Sequence, residues 1–84
     1  MDWETLSFIL SSEKRGKVIK CLVHPTTPTM IAKETGISKA HVSRVLKKFM
    51  DMGLVECKTP KKRKGKIYVL TTKGKGVINH LSES

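Results

Sequence analysis

The spacing of small, apolar and glycine residues between Thr27 and Gly53 constrains this chain more than any other feature, because it fits two short helices meeting at a tight turn. Thr27 can cap the first helix with its hydroxyl, and Pro28, with no N–H to leave unpaired, suits the first helical position. Ile31 and Ala32 then face inward, Ala32 being small enough for a second helix to approach closely. Gly36 suits the left-handed backbone that ends a helix and turns the chain sharply. Ile37 plugs the corner, Ser38 can cap a new helix, and Val42, Val45, Leu46 and Phe49 recur at the spacing of one buried stripe. Gly53 is the stop at the far end.

What lies opposite the stripe carries the functional information. At 100° per residue, Ala40, Ser43, Arg44, Lys47 and Asp51 fall on the outer face, with Lys39, His41 and Lys48 on its flanks. A helix with small residues near its N-terminus and Arg or Lys one turn on can enter a DNA major groove, where backbone bulk sets the limit. These positions together resemble the helix-turn-helix motif, although helical pairs with the same turn also serve as packing units. His41 on the flank has local packing or hydrogen bonding as its ordinary role and a base contact as the alternative.

With 84 residues the chain reads as one domain, residues 1–84, burying roughly 60 to 65% of its unfolded surface. Its formal charge of +10 is unevenly placed: Met1 to Cys57 carries nine basic and six acidic residues, whereas Lys58 to Gly76 carries eight basic and no acidic ones. Such an excess favours a polyanionic partner, most simply nucleic acid. An acidic membrane surface competes, but no long basic amphipathic helix carries the charge. The apolar run Leu6, Phe8, Ile9, Leu10 follows the acidic Asp2 and Glu4 and is too short for a signal peptide or a membrane span, so a cytoplasmic, nucleoid-associated protein is expected. Cys21 and Cys57 form no disulfide framework and are expected as free thiols.

The segments around the helix pair read in order. Residues 1–11 form an N-terminal apolar segment, read as a short helix that Asp2 can cap with Trp3, Leu6 and Leu10 on one side, with an extended segment as the alternative; it either covers the core or makes a dimer contact with the C-terminal helix. Ser12 caps the next helix, Glu13 pairs with Lys17, and Val18, Ile19, Leu22 and Val23 form its stripe before Pro25. Arg15 falls on that same stripe, where a charge either snorkels past the end of the core or reaches an anion. After the helix-turn-helix at 27–53, residues 54–71 switch to period two: Val55 and Cys57 point one way and Glu56 and Lys58 the other, and Ile67 to Leu70 make the second strand of a hairpin. Its tip holds Lys61, Lys62, Arg63, Lys64 and, leading into the strand, Lys66. Five cations this close repel one another, which an anionic partner relieves; contact with nucleic-acid backbone or minor groove is the favoured reading over a merely solvated loop. Thr71 and Thr72 can cap a last helix over 72–81 with Val77, Ile78 and Leu81 apolar, and Gly74 and Gly76 are each expected to weaken it by about 1 kcal/mol relative to Ala. Ser82 to Ser84 are expected to fray.

In this order of elements, and above all in IAKETGISKAHVSRVLKKFMDMGLVE and YVLTTKG, the chain resembles winged helix-turn-helix domains, similar to MarR-like and ArsR-like transcriptional regulators and especially to the small archaeal members. The resemblance implies a mainly α fold with a small β-hairpin (α+β): a three-helix core plus wing and C-terminal helix. It implies sequence-specific binding to double-stranded DNA, usually as a homodimer, and transcription regulation. By position, Ser38, Lys39, Ala40, Ser43, Arg44 and Lys47 would approach the major groove, with His41 and Lys48 flanking them, and Lys61 to Lys66 would form the wing. A homodimer would form through Trp3, Leu6, Ile9, Ile78 and Leu81. The chain lacks the long flanking helices of MarR-like dimers and the clustered cysteines of metal-sensing ArsR-like proteins.

Other chemistries find little support. The carboxylates are scattered and no nucleophile arrangement stands out, so no enzyme and no cofactor is expected. Cys21, Cys57, His24, His41 and His80 lack metal-ligand spacing. The alternative of another class is a protein-interaction module of the transcription or replication machinery with only non-specific DNA affinity.

Overall fold

The computed structural model describes residues 3–83, with side chains to Leu81; the expected cap at Asp2 and the end of the chain at Ser84 lie outside the described residues. Five helices and one hairpin follow in the order α1 (Trp3–Leu10), α2 (Glu13–Cys21), α3 (Pro28–Thr35), α4 (Lys39–Asp51), β1 (Val55–Cys57), β2 (Tyr68–Leu70) and α5 (Thr72–Glu83).

The three central helices start where side-chain oxygens satisfy their free N–H groups. Ser12 Oγ accepts from Arg15 N–H at 3.4 Å, Thr27 Oγ1 from Met30 N–H at 3.2 Å and Ser38 Oγ from His41 N–H at 3.2 Å. Gly36 ends α3 with φ 74°, its N–H bonding Ala32 O at 2.9 Å. An L side chain adopts that backbone only with strain, so the corner depends on glycine. Thr35 completes it: its hydroxyl donates to Ile31 O at 2.7 Å and accepts from Ile37 N–H at 3.2 Å.

The stripe of α4, Val42, Val45, Leu46 and Phe49, is buried and meets Val18 and Ile19 of α2, Leu22 just after that helix, Ile31 of α3 and Leu54. Close packing of these aliphatic and aromatic groups removes apolar surface from water and fixes the angle between α3 and α4. Val23, expected in the α2 stripe, is instead 54% exposed. Helix α2 already ends at Cys21 with Leu22 as its cap, so Val23 no longer follows the helical rotation.

Helix α1 also turns differently from expectation. Leu6 and Ile9 are buried within this chain, at 2% and 0% exposure, while Trp3 and Leu10 stand 74% and 64% exposed. The helix seats its Thr5, Leu6 and Ile9 side, not a Trp3, Leu6 and Leu10 side, because Phe8 must also meet Phe49 edge to face at 6.5 Å. Leu6 and Ile9 therefore belong to the core and leave any dimer contact to their exposed neighbours.

The hairpin pairs Val55 with Leu70, Glu56 with Val69 and Cys57 with Tyr68 in antiparallel register. An additional bridge joins Tyr68 to Thr26 in the α2–α3 connection through two backbone hydrogen bonds of 2.8 and 3.1 Å. Thr71 then locks the hairpin to α5. Its N–H bonds Leu54 O at 3.0 Å, its hydroxyl donates to Gly53 O at 2.6 Å, and the same oxygen caps α5 by accepting from Gly74 N–H at 3.2 Å. Helix α5 runs two residues past the expected end at Leu81. Gly74 is buried against Leu54, and a Cβ there would collide with the Leu54 carbonyl and stand 2.9 Å from Leu70 Cδ2. Its lack of a side chain is thus a packing requirement, contrary to its reading as a mere weak point; Gly76 has nothing within 4 Å of the same position.

Candidate nucleic-acid interface

Because the α4 stripe is committed to the core, the opposite face is left to solvent. Ser38, Lys39, Ala40, Ser43, Arg44, Lys47 and Lys48 are all exposed, and His41 is half-buried at the edge. Cap formation by Ser38 leaves Lys39 and Ala40 at the very start of the helix, where small size and the positive end of the helix dipole coincide. Asp51, the acid on this face, lies at the other end. A helix about 10 to 12 Å across with its side chains matches a groove about 12 Å wide, and the short side chains at positions 40 and 43 keep this one slim.

The wing is a hydrogen-bonded loop and not a free strand of charge. Thr59 anchors it, its hydroxyl accepting from Ile67 N–H at 3.0 Å and its carbonyl from Lys62 N–H at 3.1 Å, while Lys58 N–H meets Ile67 O at 2.8 Å. Gly65, φ 67°, returns the chain to the second strand. Lys61, Lys62, Arg63 and Lys64 are exposed and Lys66 is half-buried at the base. Among the described residues the ion pairs are Glu13–Lys17 at 3.8 Å and Glu56–Lys58 at 3.0 Å, so the cations of α4 and of the wing tip have no carboxylate partner there.

Arg15 takes the snorkelling course in an unexpected direction. Its guanidinium lies 3.8 Å above the Phe8 ring, with Nη1 donating to Phe8 O at 2.9 Å and to Ser11 Oγ at 3.1 Å. The Lys48 ammonium stands 5.8 Å from the same ring. Their meeting across α1 could not be read from helical spacing, since three elements bring them together.

On the opposite side of α2, Cys21, His24, Met30 and Glu34 border another hollow. Burial, then the nearby Glu34 carboxylate, pushes the Cys21 thiol from an ordinary 9.0 up to about 11. Burial and then Cys57 likewise raise Tyr68. Among the described residues no group of three His, Cys, Asp or Glu side chains converges to hold a metal ion, and no helix is long and apolar enough to cross a membrane.

A helix-turn-helix whose second helix is followed by a hairpin wing and a closing helix is a winged helix-turn-helix domain. The chain belongs to the HVO_A0261 N-terminal domain family, whose model matches residues 3–84. Among curated proteins no match is found. Among solved structures, a mutant of the type III plasmid segregation protein TubR is similar with TM-score 0.80 and 17% identity, over 95% of this chain and 88% of that one. The reduced form of the transcriptional regulator YodB from B. subtilis matches with TM-score 0.78 and 25% identity over 95% and 81% of the two chains. Mb0332 from Mycobacterium bovis, described as a homodimeric winged helix-turn-helix DNA-binding domain and a possible ArsR-family regulator, matches with TM-score 0.73 and 18% identity over 95% and 73%. These likenesses establish the fold.

Proposed function

We propose that this chain is a DNA-binding transcriptional regulator without catalytic activity, acting in the cytoplasm on the nucleoid as one winged-helix domain. Helix α4 enters the major groove of duplex DNA and binds it through Ser38, Lys39, Ala40, His41, Ser43, Arg44, Lys47 and Lys48. The wing lays Lys61, Lys62, Arg63, Lys64 and Lys66 on the adjacent backbone or minor groove. The carrying observation is that the cations of α4 and the wing tip have no carboxylate partner among the described residues, on a helix whose other face is entirely committed to the core. The transcriptional regulators among the similar structures support the same reading.

Dimerisation extends the proposal. Trp3 and Leu10 are exposed, and the Trp3 ring meets His80 edge-on at 6.4 Å, so α1 and α5 offer one continuous surface to a second copy, with Ile78 and Leu81 half-buried beside it. The homodimeric state of Mb0332 supports dimerisation as such.

The test is a fluorescence-anisotropy titration of mixed-sequence duplex DNA from about 50 to 200 mM salt, where several phosphate contacts cost orders of magnitude in affinity. Wild type is expected to show a steep slope, and a variant with Lys61, Lys62, Arg63 and Lys64 changed to Gln a flatter one on every sequence. Weak binding that does not respond to salt refutes the regulator and favours a module that docks on a protein partner.

A further inference from the structure

Beside α4, at the corner where α1 passes into α2, lies a hollow of about 370 Å³ lined by Phe8, Ser12, Arg15, His41, Arg44 and Lys48. Three permanent cations and an imidazole therefore surround one space, and none has an ion-pair partner among the described residues. Two acids, Glu4 and Asp51, share with Lys48 and Phe8 the lining of a second depression. Phe8 floors the hollow with an aromatic face that already holds the Arg15 guanidinium at 3.8 Å. That stacking and the bonds from Nη1 to Phe8 O and Ser11 Oγ fix the plane of the group, while Nη2 and Nε make no hydrogen bond among the described residues. A planar cation held in this way, with donors to spare and further cations around it, is preorganised for a tetrahedral oxyanion.

We propose that this hollow is a binding site for a phosphate of the DNA backbone, so that the α1–α2 corner grips the duplex along the edge of α4 through Arg15 and Lys48. The site rests on the regulator reading above and deepens it. DNA is the source of the phosphate because the hollow opens along the flank of α4, with Arg44 belonging both to it and to the outward face. A strand passing over that face would carry its phosphates past the hollow. Arg15 then serves as a positioning group for the recognition helix, independent of base sequence.

The measurement is the same salt titration on three variants. Arg15→Gln is expected to lower the slope of log K against log salt by about 1 and to weaken binding about tenfold at 0.1 M salt, equally on all sequences. Lys14→Gln, which removes the same charge from the neighbouring position outside the hollow, is expected to leave the slope near wild type. Lys48→Gln leaves the Arg15 to Phe8 bonds untouched and carries the test if Arg15→Gln does not fold. Its loss is expected to be sequence-blind, whereas a loss confined to a selected site assigns Lys48 to base reading and overturns the proposal.

Equal effects of Lys14→Gln and Arg15→Gln also overturn it, reducing the cluster to diffuse charge. If wild type binds inorganic phosphate, Arg15→Gln abolishes that binding and duplex affinity stays unchanged, the hollow serves a free phosphorylated ligand and the DNA assignment is wrong. Wild type binding duplex steeply, with Arg15→Gln superposed on it, defeats this site alone. Wild type failing to bind duplex defeats the regulator reading with it.

Discussion

Replacing Gly74 by Ala separates the two roles a helical glycine can have, because helix propensity and packing here pull in opposite directions. Propensity alone favours Ala in the interior of α5 by about 1 kcal/mol. The new methyl group, however, meets the Leu54 carbonyl and approaches Leu70 Cδ2 at 2.9 Å. A leucine side chain can turn aside; a backbone carbonyl cannot move without disturbing the bond it accepts from Thr71 N–H at 3.0 Å. Overpacking of this kind costs about 1 to 3 kcal/mol, and a weakened backbone hydrogen bond adds about 1 kcal/mol, so packing wins by about 1 to 3 kcal/mol. For a domain of this size a net 2 kcal/mol lowers Tm by about 8 to 16 °C. Gly76→Ala is the matched control, since nothing lies within 4 Å of its Cβ, and it is expected to raise Tm by about 4 to 8 °C. Thermal and urea unfolding followed by far-ultraviolet circular dichroism measure both. If Gly74→Ala stabilises as much as Gly76→Ala, the close seating of α5 on Leu54 is refuted.

Three further outcomes are expected. Arg44→Ala should cost about 1 to 3 kcal/mol on a site selected from a random pool and much less on unselected DNA; equal losses on both would reduce Arg44 to a phosphate contact. Because the folded state holds Cys21 neutral up to about pH 11 while an ordinary thiol ionises near 9.0, stability should fall as pH rises through that window and be insensitive to this group below it. Cys21→Ala should lose this part of the alkaline fall in urea titrations, and an unaltered pH profile would refute the role of Cys21. Trp3→Ser combined with Leu10→Ser should shift the protein towards monomer in sedimentation velocity at micromolar concentration, yet change unfolding of the monomer by less than about 1 kcal/mol in total; an unchanged sedimentation coefficient would place the dimer contact elsewhere.

The helix pair was legible in the chain because its signals are local. The caps at Ser12, Thr27 and Ser38, the left-handed Gly36 and the four-residue stripe of α4 each act within one or two turns, and the structure shows each of them. The hairpin was legible for the same reason, its alternation surviving in the pairing of Val55 with Leu70 and Cys57 with Tyr68. What escaped depends on distant partners. Whether Leu6 and Ile9 face the core or a second copy is decided by where α1 lands, and helical spacing alone drew its face one step too far towards Trp3. Arg15 looked anomalous on its stripe because Phe8, the ring it lies on, belongs to another helix. Gly74 looked like a defect because Leu54 is remote in sequence. On the outer face of α4, exposure followed directly from the committed inner face, so the candidate site was more legible than the elements that brace it.

The bridge between Thr26 and Tyr68 makes the wing a fixed arm and not a swinging one. Lifting its base away from the helix pair means giving up two backbone hydrogen bonds, each worth about 0.5 to 1.5 kcal/mol net. The separation between helix and arm is therefore built in. A molecule made this way acts as a caliper: it meets a surface whose features match its span and gains little by adjusting to one that does not.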